Sequence, residues 1–312
     1  MIYPKDFIET AEGLIFAVVA QALEQGKVLC FLRYVKEASG WKKYDTAEAN
    51  ALLKRQHSDY LHYSSVLDAH LHAVPISRIT KHHQPRRRLQ RIIQLNEPDA
   101  IEQDLLQLCH LFQQQGVDLM KTGVTGSLLI GVQKQSSDID LVCYGRDVFN
   151  EARAITRELI RLGHLQELND DDWEQAFQRR SCALSYGEYV WHERRKYNKA
   201  IINGRKFDLN FVENEVKPAS VNYQKCGTAT LQCKITDATR AFDYPAEFKV
   251  DHEHIDTIVS FTATYTGQAL GGETVEVSGL LEQMEQGSRR IVVGSSREAH
   301  GEYIKVIQSP DA

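Results

Sequence analysis

The stretch Thr122-Gly-Val-Thr-Gly-Ser-Leu-Leu-Ile-Gly-Val-Gln-Lys-Gln-Ser-Ser-Asp-Ile-Asp-Leu-Val142 decides how this chain is read. It holds Gly126-Ser127, ten intervening residues, and then Asp138-Ile139-Asp140. Val117 to Gly123 is strand-like, and Ile139 to Tyr144 is a second, mostly apolar strand. Side chains alternate across a strand, so Asp138 and Asp140 project from one face. Two carboxylates side by side repel unless a cation lies between them. Hard oxygen donors of this kind suit Mg²⁺ or Mn²⁺ bound to substrate phosphates. Glycine lets the backbone approach a phosphate, and N–H groups at a helix start donate to it, which gives Gly126-Ser127 a matching role. Alone, Gly-Ser is an ordinary turn and Asp-Ile-Asp an exposed strand edge. An EF-hand loop is excluded, because its Gly and Glu do not follow at the required offsets. A phosphate cradle and an acid pair in one unit imply phosphoryl or nucleotidyl chemistry.

Working outward, Ile101, Leu105, Leu108 and Phe112 recur at helical spacing before Gly116. Asp147 is placed to cap a helix whose Ala152, Ile155, Leu159 and Leu162 line one face, with Gly163 as its stop. Asn203-Gly204 is a hairpin signal, and Lys206 to Val212 alternates like a strand with Asp208 embedded in it. An acid there without a partner would be a costly core residue. Toward the N-terminus, strand-like Leu14–Val19 and Lys27–Val35 flank Gln25-Gly26 as a hairpin, and Asp45 with Glu48 has capping-box spacing ahead of a short helix. Beyond Lys217-Pro218, three strand-like runs punctuated by Gly271-Gly272 and by Gln286-Gly287-Ser288 read as a small antiparallel sheet or barrel.

The set Gly126, Ser127, Ser137, Asp138, Asp140 and Leu141 resembles the motif of the DNA polymerase beta-like nucleotidyltransferase superfamily. That resemblance covers roughly residues 100–215. It implies metal-dependent transfer of a nucleoside monophosphate from an NTP to an acceptor hydroxyl. Asp138 and Asp140 would hold two Mg²⁺ or Mn²⁺ ions, and Asp208 would supply the third carboxylate that such a family requires. Gly126, Ser127, Ser137 and Lys134 fall where the nucleotide would bind, although Lys134 departs from the usual Arg or Gly-rich linker. The expected fold class is α+β. A central α/β nucleotidyltransferase domain with a mixed sheet (96–216) would be flanked by an N-terminal α+β module (1–95) and a C-terminal antiparallel, barrel-like domain (217–312). The resemblance names neither NTP nor acceptor.

Arg179-Arg180 and Arg194-Arg195-Lys196 with Lys199 are interleaved with Tyr186, Tyr189, Trp191 and Tyr197. Phosphate contacts plus stacking rings are what an RNA or tRNA acceptor needs. The alternative is a solvated helix face whose rings are packed. Lys81, Arg86, Arg87, Arg88 and Arg91 form a second basic cluster, read first as a solvated loop, with contact to substrate as the alternative. Two other functions stay open: the same chemistry on a small-molecule or protein hydroxyl, and a catalytically inactive protein that binds RNA or nucleotide. Lys plus Arg number 37 and Asp plus Glu 42, a net charge of −5, so no global positive field drives nucleic-acid binding.

No apolar run approaches the length of a membrane span, and acids precede the first apolar run, unlike a secretory signal. The six cysteines form no CxxC pair and mostly sit in apolar runs, the pattern of reduced thiols in a cytoplasmic protein; a Cys226–Cys233 bridge or shared metal is the other reading. His57, His62, His70 and His72 fit no zinc template and read as surface or packed imidazoles. Ser127 lacks a nucleophile elbow and an assignable His partner, which excludes a serine hydrolase.

Overall fold

The computed structural model of the chain describes residues 1–64, 69–213, 223–284, 287–295 and 299–308. Strand β1 (Phe7–Thr10) leads into the expected hairpin of β2 (Leu14–Glu24) and β3 (Lys27–Glu37). Gln25 and Gly26 both take left-handed angles, φ 52° and 73°, the turn geometry whose twist matches its strands. Then follow β4 (Gly40–Lys43), helix α1 (Thr46–Gln56), β5 (Leu61–Ser64), β6 (Ala69–Pro75) and β7 (Ile79–His83). The Asp45–Glu48 capping box starts α1. These strands form one antiparallel sheet in the order β5-β6-β3-β2-β1-β7, with β4 paired to β3. Ile8, Phe16, Leu32, Leu53 and Tyr60 form its core.

The basic run around residues 81–91 is structured, contrary to a solvated loop. Its first part ends β7, and its second is helix α2 (Pro85–Ile93), with proline in the first turn and Leu89 and Ile92 buried. Next come α3 (Ala100–Gln114), β8 (Thr122–Thr125), α4 (Gly126–Ile130), β9 (Ile139–Tyr144) and α5 (Arg146–Arg161). On α3 the expected face is buried throughout. On α5 two expectations are corrected: Gly145 is the N-cap, with Asp147 in the first turn, and the buried stripe is Val148, Phe149, Ala152, Thr156 and Leu159. Thr156 joins that stripe because its hydroxyl donates to the Ala152 carbonyl at 2.8 Å, while Leu162 lies past the last turn and is half exposed.

Helices α6 (Asp170–Arg180) and α7 (Tyr186–Arg194) precede the hairpin β10 (Lys199–Ile202) and β11 (Arg205–Val212), joined by left-handed Asn203 and Gly204. The second sheet runs β10-β11-β9-β8, with β11 parallel to β9 and the other pairs antiparallel. The last strands are β12 (Tyr223–Asp237), β13 (Ala246–Asp251), β14 (Thr257–Ser260), β15 (Thr274–Met284), β16 (Arg289–Val293) and β17 (Tyr303–Gln308).

Seven helices and three sheets among the described residues make this an α+β protein. The C-terminal sheet is not a clear barrel. It has six strands in the order β12-β13-β14-β16-β15-β17, and β14 lies parallel to β16 because β15 intervenes in sequence. Along one edge β15 pairs with β12; along the other it pairs first with β17 and then with β16. Gly279 marks the change of partner, where a Cβ would stand 2.3 Å from the Val292 carbonyl oxygen.

The chain divides into two compact units: Met1–Glu167 with Asn198–Ser220, and Leu168–Tyr197 with Val221–Ala312. The blocks 1–95 and 96–167 therefore share one unit, and α6 and α7 group with the C-terminal sheet. The expected boundary at Lys217-Pro218 lies outside the described residues, as does Gln286. All six cysteines are free thiols, four of them buried. Among the described residues no helix is long and apolar enough to cross a membrane.

Candidate active site

The strand register brings the motif together. Asp140 on β9 stands opposite Asp208 on β11 and opposite Thr125 on β8. Neighbouring strands lie about 4.8 Å apart, so two in-register carboxylates on one face meet across that gap. The other face of the sheet is apolar and covered by helices. Phe207 meets Phe112 of α3 with ring centroids 6.3 Å apart, and Phe211 meets Phe149 of α5 at 5.5 Å. Packing of Phe207 and Leu209 on that side turns Asp208 to the side shared with Asp140.

Gly126 adopts φ 68°, and a Cβ placed there would stand 2.4 Å from Asp140 Oδ2. The conformation and the contact both demand glycine. The Gly-Ser element thus lies against the acid. The helix it opens is only five residues long. Burial pushes the Asp140 carboxyl up to about 6; the Asp208 charge adds to this, Lys5 opposes it, Asp138 raises it further, and Lys43 opposes it again. Asp138 is exposed, one turn of the pleat before Asp140.

The linker between Gly126-Ser127 and the acids is held in place. Ser137 Oγ accepts from the Lys134 backbone N–H at 2.9 Å, and the Ser137 N–H donates to the Lys134 carbonyl at 2.7 Å. Ser137 therefore closes a turn, and the exposed Lys134 lies on it. Arg205 grips the same turn, donating to the carbonyls of Gln135 and Ser137 at 2.8 Å each and to Asp104 at 2.7 Å. Sequence reading missed Arg205, whose only local mark is its place after the Asn-Gly turn. It also missed Asn210, two residues past Asp208 on the same face, and the two lysines that act on Asp140.

Arg179, Arg180 and Arg194–Lys196 of the basic cluster belong to the second unit, whereas Lys199 and the acids belong to the first. Lys196 is buried, with Nζ 2.5 Å from Glu193 and 2.9 Å from the Thr264 carbonyl. Arg195 makes a bidentate pair with buried Glu273 and stacks on Trp191 at 4.3 Å. These two side chains hold the second unit together, which corrects their assignment to substrate. Arg179, Arg180 and Arg194 are exposed, Arg194 lying 3.7 Å from Asp170. Tyr189 is buried against Phe177 and only Trp191 is half exposed, so the interleaved rings divide between packing and surface.

His72 is buried and takes hydrogen bonds from Leu32 N–H at 2.9 Å and faces Asn50 at 2.7 Å; burial pulls it down to about 4. His62 lies 3.3 Å from Glu24 and His70 beside Tyr63. Of these, only His72 is packed in the core; His62 faces Glu24 and His70 is exposed. Asp138, Asp140 and Asp208 carry the donor chemistry of a hard divalent cation; burial is the main cause that raises Asp140, and the smaller repulsion from Asp208 and Asp138 is what such a cation relieves. Among the described residues, however, no three His, Cys, Asp or Glu side chains stand close enough together, as placed, to hold an ion.

Compared with known proteins, the chain is 36% identical over 335 aligned positions to the uncharacterized protein MJ1086 of Methanocaldococcus jannaschii, an alignment spanning 97% of this chain and 98% of that one. The chain belongs to the family of that archaeal protein. No protein-family model and no solved structure matches it. End-to-end coverage means that both units, and not the motif alone, are shared with the relative.

Proposed function

We propose that this protein is a metal-dependent nucleotidyltransferase of the DNA polymerase beta-like kind, moving a nucleoside monophosphate from an NTP to an acceptor hydroxyl. The observation that carries the reading is the in-register pairing of Asp140 with Asp208, with Gly126 pressed against the Asp140 carboxylate. A pair of carboxylates kept together although burial and their mutual charge raise Asp140, beside a glycine that admits no side chain, supports reading this cluster as a site. Asp138, Asp140 and Asp208 would hold two Mg²⁺ or Mn²⁺ ions. When bound, those ions supply charge neutralisation for the leaving pyrophosphate and activation of the acceptor hydroxyl. The acceptor oxygen attacks the α-phosphorus, the bond to the β-phosphate breaks, and pyrophosphate departs. Gly126, Ser127 and the Lys134–Ser137 turn line the approach for the nucleotide.

An RNA or tRNA is the first acceptor to try, on the exposed Arg179, Arg180 and Arg194 with half-exposed Trp191. The engagement of Arg195 and Lys196 inside the second unit favours, as a second reading, a smaller acceptor: a metabolite or a protein hydroxyl. The test is incubation of the full chain with each α-labelled NTP, Mg²⁺ or Mn²⁺, and pools of RNA, metabolites and protein. Label should transfer to one pool, and Asp138→Asn and Asp140→Asn should each abolish it while melting cooperatively. Activity within about tenfold of the parent in either variant excludes a two-metal mechanism. NTP or RNA binding without transfer under every condition assigns a binding protein instead.

A further inference from the structure

We propose that Lys5, in the turn just before β1, and Lys43, at the end of β4, bind the polyphosphate of the nucleotide at the acid site. This rests on the nucleotidyl-transfer reading and extends it to residues outside the motif. Lys5 is tied to three strands at once. Its N–H donates to the Val18 carbonyl of β2 at 3.0 Å, and its carbonyl accepts from the Thr125 hydroxyl of β8 at 2.8 Å. Its ammonium donates to Asn210 Oδ1 of β11 at 3.0 Å, and Asn210 in turn donates to the Leu141 carbonyl of β9 at 3.1 Å. Thr125 is the residue opposite Asp140, and Asn210 shares the face of Asp208. The ammonium is therefore delivered to the acid face by the strands that carry the acids.

The backbone gives a second, independent sign. Lys5 sits at φ 74°, a left-handed conformation that glycine would adopt without penalty. Strained backbone of this kind clusters where a side chain has a task. The N-terminal segment also covers the acid face further along: Tyr3 packs with Val142, Tyr144 and Val212. Lys43 is exposed at the end of β4, opposite Tyr34 in the register, and both it and Tyr34 share an electrostatic interaction with Asp140. Two arginines near the motif are committed to protein groups. Arg88 binds Glu102 and the Leu128 carbonyl, and Arg205 binds Asp104 and the linker carbonyls. Three carboxylates repel a polyphosphate; two lysines facing them offset that charge and add cationic donors to those of the motif.

The experiment is calorimetric titration of the full chain with inorganic tripolyphosphate and with each NTP, in Mg²⁺, for the parent, Lys5→Met, Lys5→Arg, Lys43→Met and Lys42→Met. Lys42 neighbours Lys43 but lies 3.6 Å from Glu37. Lys5→Met should weaken tripolyphosphate binding by about tenfold to a hundredfold, the usual loss for one charge-assisted hydrogen bond, and Lys5→Arg should recover most of it. Lys43→Met should lose about threefold to tenfold, and Lys42→Met nothing. Parent-like affinity in both Lys5→Met and Lys43→Met overturns the inference and leaves the nucleotidyl-transfer reading standing. If Lys5→Met does not fold, exposed Lys43 decides: parent-like affinity there overturns the inference. A parent that binds neither tripolyphosphate nor any NTP overturns the reading and the inference together.

Discussion

Replacing Gly126 by alanine separates a requirement of the backbone from a requirement of the acid. Two glycines of the motif share nearly one conformation, Gly126 at φ 68° and Gly131 at φ 72°. At Gly131 the nearest atom to a new Cβ is the Arg88 Nη2, 4.0 Å away, so Gly131→Ala carries only the left-handed penalty, about 1 kcal/mol. At Gly126 the Cβ would stand 2.4 Å from Asp140 Oδ2 and 3.4 Å from its Cγ, distances no real contact tolerates. Asp140 is fixed on a strand bonded on both sides, so its carboxylate must swing away while the backbone stays. That overpacking adds about 1–3 kcal/mol to the penalty. A displacement on the order of 1 Å at a reacting group costs about a hundredfold in rate. Urea unfolding of both variants, alongside initial rates of label transfer, should place Gly126→Ala at about 2–4 kcal/mol destabilised and about a hundredfold slower, with Gly131→Ala near 1 kcal/mol and near parental rate. Equal stability and equal rate in the two variants would refute the claim that Gly126 exists to accommodate Asp140.

Three further outcomes follow from the same geometry. Because the folded protein holds Asp140 near 6, above its ordinary value of 3.8, its contribution to stability is intact below about pH 4 and lost as pH rises through about 6. Asp140→Asn should therefore gain at most about 3 kcal/mol over the parent at pH 7.5 and almost nothing at pH 4, measured by denaturant unfolding at both. Arg195→Ala leaves Glu273 buried and unpaired and should cost about 3 kcal/mol in melting, against less than about 0.5 kcal/mol for exposed Arg194→Ala; equal melting would restore Arg195 to the surface. Arg205→Ala frees the Gln135–Ser137 turn and should slow transfer about tenfold without abolishing it, read from initial rates.

What could be read from the sequence was local. The capping box at Asp45, left-handed pairs at Gln25-Gly26 and Asn203-Gly204, and the alternation that turns Asp208 away from Phe207 and Leu209 all leave their mark within a few residues. What could not be read depends on partners distant in the chain. Strand β12 has mostly exposed side chains and is defined by backbone pairing with β15, some fifty residues on, so no apolar period announces it. Gly145 displaced Asp147 as the cap of α5 because the chain leaves β9 at φ 100°, which only glycine adopts without strain. Arg195 and Lys196 look like ligands in sequence because nothing local reveals Glu273 and Thr264, which bind them. The same holds for Lys5, whose partners Thr125 and Asn210 lie 120 and 205 residues away.

Under the proposed function, Asp138, Asp140 and Asp208 form one divalent-cation site. Crystals grown with Mn²⁺ and a non-hydrolysable NTP, measured at the manganese absorption edge, test it directly. Anomalous peaks should lie in contact with Asp140 and Asp208, with Asp138 drawn in, and two peaks about 3.5–4 Å apart should appear when both ions bind. No anomalous density at these carboxylates, or an Asp208 more than about 10 Å from Asp140 in the complex, would contradict it.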